Sequence, residues 1–185
     1  SHEKSISEMG ILNTDRIVIY CYSDLISSCR AWFQFLYFGH NPKLVSVLNG
    51  GLKKWNLEEK EIINIKTKIT PCRYRVKENK NMIKIKSEID KNIKRKKFTI
   101  LDARSKNRFL GLEPEPRPGV KSGSIPGSNS LPLNDLVNIK NNTFFNKEKL
   151  NDIFISKGNG NSDLVMSCGS SVSASSLALA YSIIN

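Results

Sequence analysis

The chain has 185 residues, of which 39% are hydrophobic and 25% are charged, and this composition excludes a disordered or collagen-like protein. Its 29 Lys and Arg against 17 Asp and Glu give a formal net charge of +12, which favours small anionic partners. The basic residues lack interleaved aromatic residues and any groove-reading motif, so we expect no nucleic-acid partner. The apolar runs are far shorter than the roughly 18 residues that a membrane span needs, so we expect no membrane partner.

The four cysteines have neither the spacing of a metal site nor that of a disulfide framework. They form no Cys-x-x-Cys pair and have no ligand spacing with the two histidines, His2 and His40. We therefore predict no metal site. A domain of this size needs no disulfide staples, so we expect a reducing compartment, cytoplasmic or mitochondrial.

The first predicted strand covers residues 17–21, an apolar and β-branched run typical of a buried parallel strand. It ends in the polar pair Ser23 and Asp24. Apolar residues then recur at helical spacing until a glycine ends the helix, and we expect Ser27 or Ser28 to cap its start.

A second strand is predicted over residues 44–48. Gly50 and Gly51 then permit a tight turn into a short helix that carries Trp55. Strand, helix, strand, helix is the element order of an α/β fold.

Residues 58–97 are rich in lysine and weakly periodic, and we interpret 58–80 as a linker. Short exposed strands are expected in this stretch around four apolar residues: Tyr74, Val76, Ile83 and Ile85. A helix capped by Ser87 then leads into a buried strand over residues 98–101 that ends at Asp102. The alternation of helix and strand starts again here, which indicates a second α/β unit.

The rest of the chain continues this alternation after an interruption. Residues 113–119 contain three prolines, which exclude a helix or a central strand and predict an ordered surface loop. A helix near 147–156, a turn at 158–161, a strand over 163–167 and a final helix over 173–184 follow.

Cys168 follows the last predicted strand, and the small residues after it open the last helix. Such a junction directs backbone N–H groups and the positive end of the helix dipole at one small volume. A cysteine in that volume is shifted toward thiolate and becomes a candidate nucleophile. The alternative is a buried structural cysteine at a strand end.

A phosphatase loop would carry an arginine where Ala174 stands, so phosphate-ester chemistry is disfavoured.

Several short motifs accompany this loop. The front part contains Arg30-Ala31-Trp32-Phe33, Phe38-Gly39-His40 and Val47-Leu48-Asn49-Gly50-Gly51-Leu52. The back part contains Leu101-Asp102-Ala103-Arg104, Arg108-Phe109-Leu110-Gly111, Pro114-Glu115-Pro116-Arg117, Gly123-Ser124-Ile125-Pro126-Gly127 and Cys168-Gly169-Ser170. Together they resemble the two-domain sulfurtransferases of the rhodanese fold, and among these the 3-mercaptopyruvate sulfurtransferases.

The resemblance implies two similar units, each with a parallel sheet flanked by helices. Residues 1–57 would be part of a catalytically silent N-terminal domain, 58–80 the linker, and 81–185 the C-terminal domain that carries the Cys168 loop. The resemblance also implies that the chain starts inside the N-terminal domain and lacks the family's last strand.

The resemblance assigns the site residues as well. Cys168 would be the nucleophile, and Ser170 would relay or orient the proton of the donor thiol. The backbone amides of the loop would hold an anionic sulfur. These amides belong to Gly169, Ser170, Ser171, Val172 and Ser173. Arg108 and Arg117 would bind the carboxylate and keto oxygen of a 2-oxo acid, which suits a guanidinium fork. Their alternative is ion pairing with Glu113 or Glu115 at the surface.

Two loop positions depart from the family pattern. Ser171 stands where the family has glycine, and a positive φ there would strain the loop. Ser124 replaces a histidine, which we interpret as a structural loss.

The implied reaction transfers sulfur from a small anionic donor, 3-mercaptopyruvate or thiosulfate, to a thiol acceptor such as thioredoxin, or to cyanide, through a Cys168 persulfide. By the same resemblance the reaction requires no metal or organic cofactor. The neutral loop favours 3-mercaptopyruvate. The alternative function is a non-catalytic rhodanese-like module that serves as a sulfur carrier or interaction domain with impaired turnover.

Overall fold

The computed structural model describes residues 2–22, 25–160 and 163–185, so Ser23, Asp24 and the Asn161 end of the predicted turn lie outside the described residues. The described helices and strands run in this order: α1 (His2–Glu8), β1 (Ile17–Ile19), α2 (Ile26–Tyr37), β2 (Val45–Val47), α3 (Gly51–Leu57), α4 (Lys86–Arg95), β3 (Thr99–Asp102), α5 (Lys106–Leu110), β4 (Asn129–Ser130), β5 (Val137–Asn138), β6 (Thr143–Phe144), α6 (Lys147–Gly158), β7 (Leu164–Ser167) and α7 (Val172–Ile184).

The N-terminal sheet consists of β1 and β2, which pair in parallel with Ile17 opposite Val45. β1 is two residues shorter than predicted, and the expectation that it is buried is wrong at Val18, which is 58% exposed. α2 packs on this sheet. Because successive side chains of a strand point to opposite faces, Ile17 and Ile19 are half-buried while Val18 points to solvent.

Two helices begin without the predicted serine caps. At the start of α2 the backbone N–H of Ser28 donates to the sulfur of Cys21 at 2.8 Å, and its hydroxyl donates to the carbonyl of Leu25. α4 begins one residue before Ser87, and there the carboxylate of Glu88 accepts the N–H of Ile85 at 3.0 Å. In both cases the acceptor is a group other than a serine hydroxyl: the sulfur of Cys21 for Ser28 and the carboxylate of Glu88 for Ile85.

Neither residues 83–85 nor the segment 59–79 contains a helix or strand, so the short exposed strands expected around Tyr74, Val76, Ile83 and Ile85 are wrong. The end of this segment is bound to the N-terminal elements: Tyr74 N donates to the hydroxyl of Ser7, and Lys77 N donates to the carbonyl of Phe38. Tyr74 is fully buried, and its hydroxyl lies 3.0 Å from Nδ1 of the buried His40. The sequence pattern missed this burial because the contacts join residues more than 30 positions apart.

The second sheet has the order β4-β3-β7, and both pairings are parallel. The strands β3 and β7 and the helices α6 and α7 match the predicted elements to within two residues, whereas β4 was not predicted. Residues 113–119 form no helix or strand, as expected. Val18 and Ile100 lie on strands of separate sheets. α7 packs on β7, α6 and α2. Because α2 also packs on the N-terminal sheet, it joins that sheet to the last helix of the chain. The boundaries predicted for the two units stay a prediction.

The turn before α3 contacts the antiparallel hairpin of β5 and β6. The backbone N–H of Phe144 donates to Oδ1 of Asn49 at 2.9 Å. Gly50 has a φ of 94°, and a Cβ at this position would lie 2.9 Å from the carbonyl oxygen of Asn141. The Asn-Gly pair therefore serves a contact with a hairpin about 95 positions further along the chain.

Candidate active site

Cys168 lies at the carboxyl edge of the second sheet, between the end of β7 at Ser167 and the start of α7 at Val172. The thiol is half-buried. The N–H of Ala174, in the first turn of α7, donates to its Sγ at 3.4 Å. Strand, loop and helix thus hold the sulfur at the positive end of the helix dipole, as the sequence predicted.

The surroundings of the thiol favour its charged form. Burial alone would raise the pKa of Cys168, but hydrogen bonds from the Ser173 hydroxyl and from the N–H groups of Ala174, Ser170 and Ser171 lower it. These bonds outweigh burial, so the pKa lies below the ordinary value of a thiol. The surroundings therefore favour the thiolate form of Cys168.

Ser171 adopts the left-handed conformation, with φ 61° and ψ 8°. This is the positive φ that the departure from glycine was expected to strain. Its carbonyl accepts the hydroxyl of Ser175 at 2.6 Å, so the loop and the first turn of α7 are bonded to each other. Among the other described non-glycine residues, positive φ occurs at Glu59, Lys96, Asn142 and Asn159.

Arg117 contacts the loop directly. Its Nη1 donates to the carbonyl of Gly169 at 2.9 Å, and the side chain is otherwise exposed. No described carboxylate lies within 4.0 Å of this guanidinium. Arg117 therefore reaches the nucleophile loop and keeps donors available for an anion.

Arg108 has a different environment. It donates to Glu115 through Nε at 3.1 Å and through Nη2 at 2.5 Å. Glu115 is also bound by Nη1 of Arg104 at 2.7 Å, and Arg104 in turn donates to the carboxylate of Asp102. The alternative expected for Arg108, pairing with Glu115, is thus present, but the Glu115 side chain is 3% exposed, so the pair is not at the surface. Glu113 instead accepts from Asn107.

Hydrogen bonding shifts the pKa values of Glu115 and Arg108 in the directions that favour their charged forms. The two bonds from Arg108 lower the pKa of Glu115, against the opposing effect of burial, and Arg104 lowers it further. The pKa of Arg108 is correspondingly raised, chiefly by its bond to Glu115. Asp102, Arg104, Glu115 and Arg108 therefore form a network of two anions and two cations.

Gly169 lies against this network. A Cβ at position 169 would be 3.1 Å from Nη2 of Arg108 and 3.7 Å from Oε2 of Glu115. Glycine at position 169 therefore lets the Arg108 and Glu115 pair lie close to the Cys168 loop.

The structure brings most of the predicted site residues together. Cys168, Gly169, Ser170, Ser171, Val172 and Ser173 form one loop and helix start, with Arg108 and Arg117 beside it. The hydroxyl that bonds the sulfur belongs to Ser173, while Ser170 contributes its backbone N–H.

Arg104 and Glu115 are the members of the site that were not predicted. The available signal was the proline on each side of Glu115, which restricts the backbone and fixes where this carboxylate points. The other three cysteines are free thiols, and Cys29 is fully buried. Within the described ranges, no three His, Cys, Asp or Glu residues are placed to hold a metal ion.

Comparison with known proteins agrees with this geometry. The family model of the rhodanese-like domain matches residues 2–58. Human 3-mercaptopyruvate sulfurtransferase is 33% identical over 174 residues, which are 92% of this chain and 58% of that protein. Residues 2–58 thus belong to the rhodanese-like domain family. Thiosulfate sulfurtransferase of Rattus norvegicus is also 33% identical, over 95% of this chain and 59% of its own length.

A solved structure shows the same fold. SseA from Escherichia coli, described as a 3-mercaptopyruvate sulfotransferase with the rhodanese fold, superposes with a TM-score of 0.85 at 23% identity. The match covers 99% of this chain and 67% of SseA. The predicted rhodanese-like parallel sheet flanked by helices is thereby confirmed. This rhodanese chain spans less than two thirds of the curated relatives named above. None of its described helices is long and apolar enough to cross a membrane.

Proposed function

We propose that this chain carries the nucleophilic unit of a sulfurtransferase that moves sulfur from 3-mercaptopyruvate, or from thiosulfate, to an acceptor through a persulfide on Cys168. The observation that carries the proposal is the position of Cys168 between β7 and α7, where the N–H of Ala174 donates to its Sγ at 3.4 Å. The relatives of similar sequence support it, since they are named for these two donors.

In the first step the Cys168 thiolate attacks the sulfur of 3-mercaptopyruvate. An S–S bond forms and the S–C bond of the donor breaks, and its electron pair leaves with the carbon, which becomes pyruvate after it takes up a proton. With thiosulfate the corresponding leaving group is sulfite. The N–H groups of Ser170, Ser171 and Ala174 then stabilise the charge on the outer persulfide sulfur, as an oxyanion hole does for oxygen.

The two arginines support donor binding. Arg117 has donors available beside Gly169, and its planar fork fits a carboxylate or an adjacent keto oxygen. The exposed hydroxyl of Ser170 lies at the open side of the loop, where it can orient the donor thiol and its proton, whereas the Ser173 hydroxyl bonds the sulfur of Cys168 itself.

In the second step an acceptor attacks the outer sulfur, and the electron pair of the S–S bond returns to Cys168 as thiolate. Cyanide then leaves as thiocyanate, and a thiol such as that of thioredoxin leaves as a persulfide. No metal or organic cofactor takes part in either step.

Mass spectrometry tests the proposal. After incubation with 3-mercaptopyruvate we expect one added sulfur on Cys168, about 32 Da by atomic mass, and its loss as thiocyanate when cyanide is added. Cys168→Ser should show neither. An adduct that persists with every acceptor would support the carrier function instead, and an unmodified Cys168 would overturn the proposal.

A further inference from the structure

We propose that Arg104 is a positioning residue for the anionic donor: it fixes Glu115, and Glu115 in turn holds Arg108 with the unoccupied end of its guanidinium at the Cys168 loop. This inference deepens the proposed function and rests on it for the identity of the donor. Its binding part concerns a 2-oxo acid and can be measured without turnover.

The protein occupies most of the N–H donors of Arg104. A guanidinium carries five such donors. In Arg104 the Nε and one N–H of Nη2 bond the carboxylate of Asp102, and the second N–H of Nη2 bonds the carbonyl of Gly123 at 2.7 Å. One N–H of Nη1 bonds Oε1 of Glu115 at 2.7 Å. With its side chain only 9% exposed, Arg104 therefore joins parts of the protein and does not meet a ligand itself.

Arg108 keeps donors for a ligand. Its Nε and one N–H of Nη2 donate to Glu115, and these bonds occupy one edge of the guanidinium. Both N–H groups of Nη1 and the second one of Nη2 have no acceptor among the described residues. A Cβ at Gly169 would lie 3.1 Å from this Nη2, so the unoccupied end lies beside the Cys168 loop. An anion at this end would be close to the nucleophile.

The direction of the Arg108 side chain depends on Glu115. An arginine side chain has several rotatable bonds, and fixing them at the moment of binding lowers the affinity for a ligand. The carboxylate of Glu115 takes Arg108 in a bidentate pair and is itself 3% exposed. The guanidinium is thus ordered before the donor arrives, so its remaining N–H groups bind an anion at a lower entropic cost.

Arg104 is what fixes Glu115. It connects Oε1 of Glu115 to Asp102 at the end of β3, the central strand of the second sheet. Without Arg104, the carboxylate would lose this anchor and could turn together with Arg108. Two carboxylates would then face a single guanidinium, and the excess negative charge beside the loop would repel an anionic donor.

Pyruvate measures anion binding at this site without sulfur transfer, because it carries the carboxylate and keto group of the donor but no thiol. Bound pyruvate should slow the alkylation of Cys168 by iodoacetamide, and the concentration that gives half protection measures its affinity. Pyruvamide, the neutral amide, should protect far less. The alkylation rate without pyruvate reports whether the loop and its thiolate are intact, so loss of binding is distinguished from loss of structure.

Arg104→Lys keeps the positive charge but loses the planar fork that bonds Asp102, Gly123 and Glu115 together. We expect the half-protecting concentration of pyruvate to rise about tenfold, while the alkylation rate without pyruvate stays within about twofold of wild type. Arg95→Lys makes the same exchange at an exposed arginine of α4 and should change neither quantity. Equal protection of wild type and Arg104→Lys would overturn the proposal, as would equal protection of wild type by pyruvate and pyruvamide.

A double-mutant cycle tests whether Arg104 acts through Arg108. In the Arg108→Gln background, Arg104→Lys should cause no further loss of protection by pyruvate. A full further loss in that background would show that Arg104 acts on its own and would contradict the proposal. If Arg104→Lys does not fold, Asp102→Asn decides in its place: it weakens the hold on Arg104 and should raise the half-protecting concentration in the wild-type background only.

Turnover separates this inference from the proposed function. In Arg104→Lys the kcat/KM for 3-mercaptopyruvate should fall about tenfold, mainly through a higher KM. If wild type transfers sulfur from neither donor, the proposed function fails, while protection by pyruvate still decides the role of Arg104. If pyruvate does not protect wild type, Arg108 binds no 2-oxo acid, and the positioning role is overturned even where sulfur transfer is observed.

Discussion

Nη1 of Arg117 donates to the carbonyl of Gly169 at 2.9 Å and thereby joins the proline-rich loop to the residue that follows the nucleophile, 52 positions further along the chain. This bond occupies the carbonyl of Gly169, while the sulfur of Cys168 accepts bonds from N–H groups of the same loop. Arg117 therefore links the proline-rich loop to the Cys168 loop.

Arg117→Lys should weaken the use of 3-mercaptopyruvate more than that of thiosulfate. Lysine keeps the charge but loses the planar fork, and the expected loss is about 1.5–3 kcal/mol of transition-state stabilisation, the range for a charged hydrogen bond. Steady-state kcat/KM with each donor measures it. Equal losses on the two donors would show that Arg117 only supports the loop through Gly169.

Cys168 should be alkylated by iodoacetamide near neutral pH before Cys21, Cys29 and Cys72. Because its pKa is lowered, the rate should stay high as pH falls below the free-thiol value of about 8.5 and decline only as pH passes through the lowered pKa. Cys29 is fully buried, and the thiol of Cys72 donates to the carbonyl of Ile11. Peptide mapping after short exposure gives the order, and faster reaction at Cys72 would contradict the assignment.

Ser171→Gly should stabilise the protein by about 0.5–1 kcal/mol. The substitution removes the cost of a left-handed non-glycine residue, about 1–2 kcal/mol. Part of this gain is lost because glycine raises the conformational entropy of the unfolded chain. Urea unfolding measures the change. Ser170→Gly is the matched control, since Ser170 is not among the described residues with positive φ, and it should bring no stabilisation. Loss of stability in Ser171→Gly would show that its side chain contributes more than the strain costs.

Restoring glycine at position 171 should also raise sulfur transfer if strain in the loop limits it. The comparison is kcat for Ser171→Gly against wild type, with the alkylation rate of Cys168 as a second readout of the loop. An increase in stability without any change in kcat would mean that the strain does not reach the reacting sulfur.

Tyr74→Phe should destabilise the N-terminal elements. It removes the hydroxyl 3.0 Å from Nδ1 of His40, and an unsatisfied buried group costs about 1–3 kcal/mol. Tyr37→Phe removes an exposed hydrogen bond from α2 to Glu78, which lies in the same segment as Tyr74, and it should leave the urea midpoint unchanged. Equal midpoints for the two variants would show that the buried bond contributes no more than the exposed one.

The sequence predicted the parts of the molecule that short stretches of chain determine. An apolar run predicts β7, three small residues predict the Cys168 loop, and a second apolar run predicts α7. Junctions between a strand and a following helix share one backbone geometry, so the position of the loop could be predicted as well. The burial of Glu115 was not predictable in this way, because it depends on arginines from two other positions that converge only in the fold. For the same reason Tyr74 was expected to be exposed in a lysine-rich stretch.

The identity of the hydroxyl at the sulfur was missed for a different reason. Ser170 and Ser173 lie in the same small-residue loop, and only the path of the backbone decides which side chain faces Cys168. With Ser171 in the left-handed conformation, the chain turns so that Ser173 in the first turn of α7 reaches the thiol.

The donors around Cys168 are mostly backbone N–H groups, which every residue except proline carries. Side-chain replacements at positions 170 and 171 can therefore alter the size and charge of the opening while the thiolate remains stabilised. Reactivity and substrate choice are separable in such a loop: reactivity follows from the course of the main chain, and substrate choice follows from the side chains at its rim. A protein built in this way can acquire a new sulfur donor through single substitutions without first losing its nucleophile.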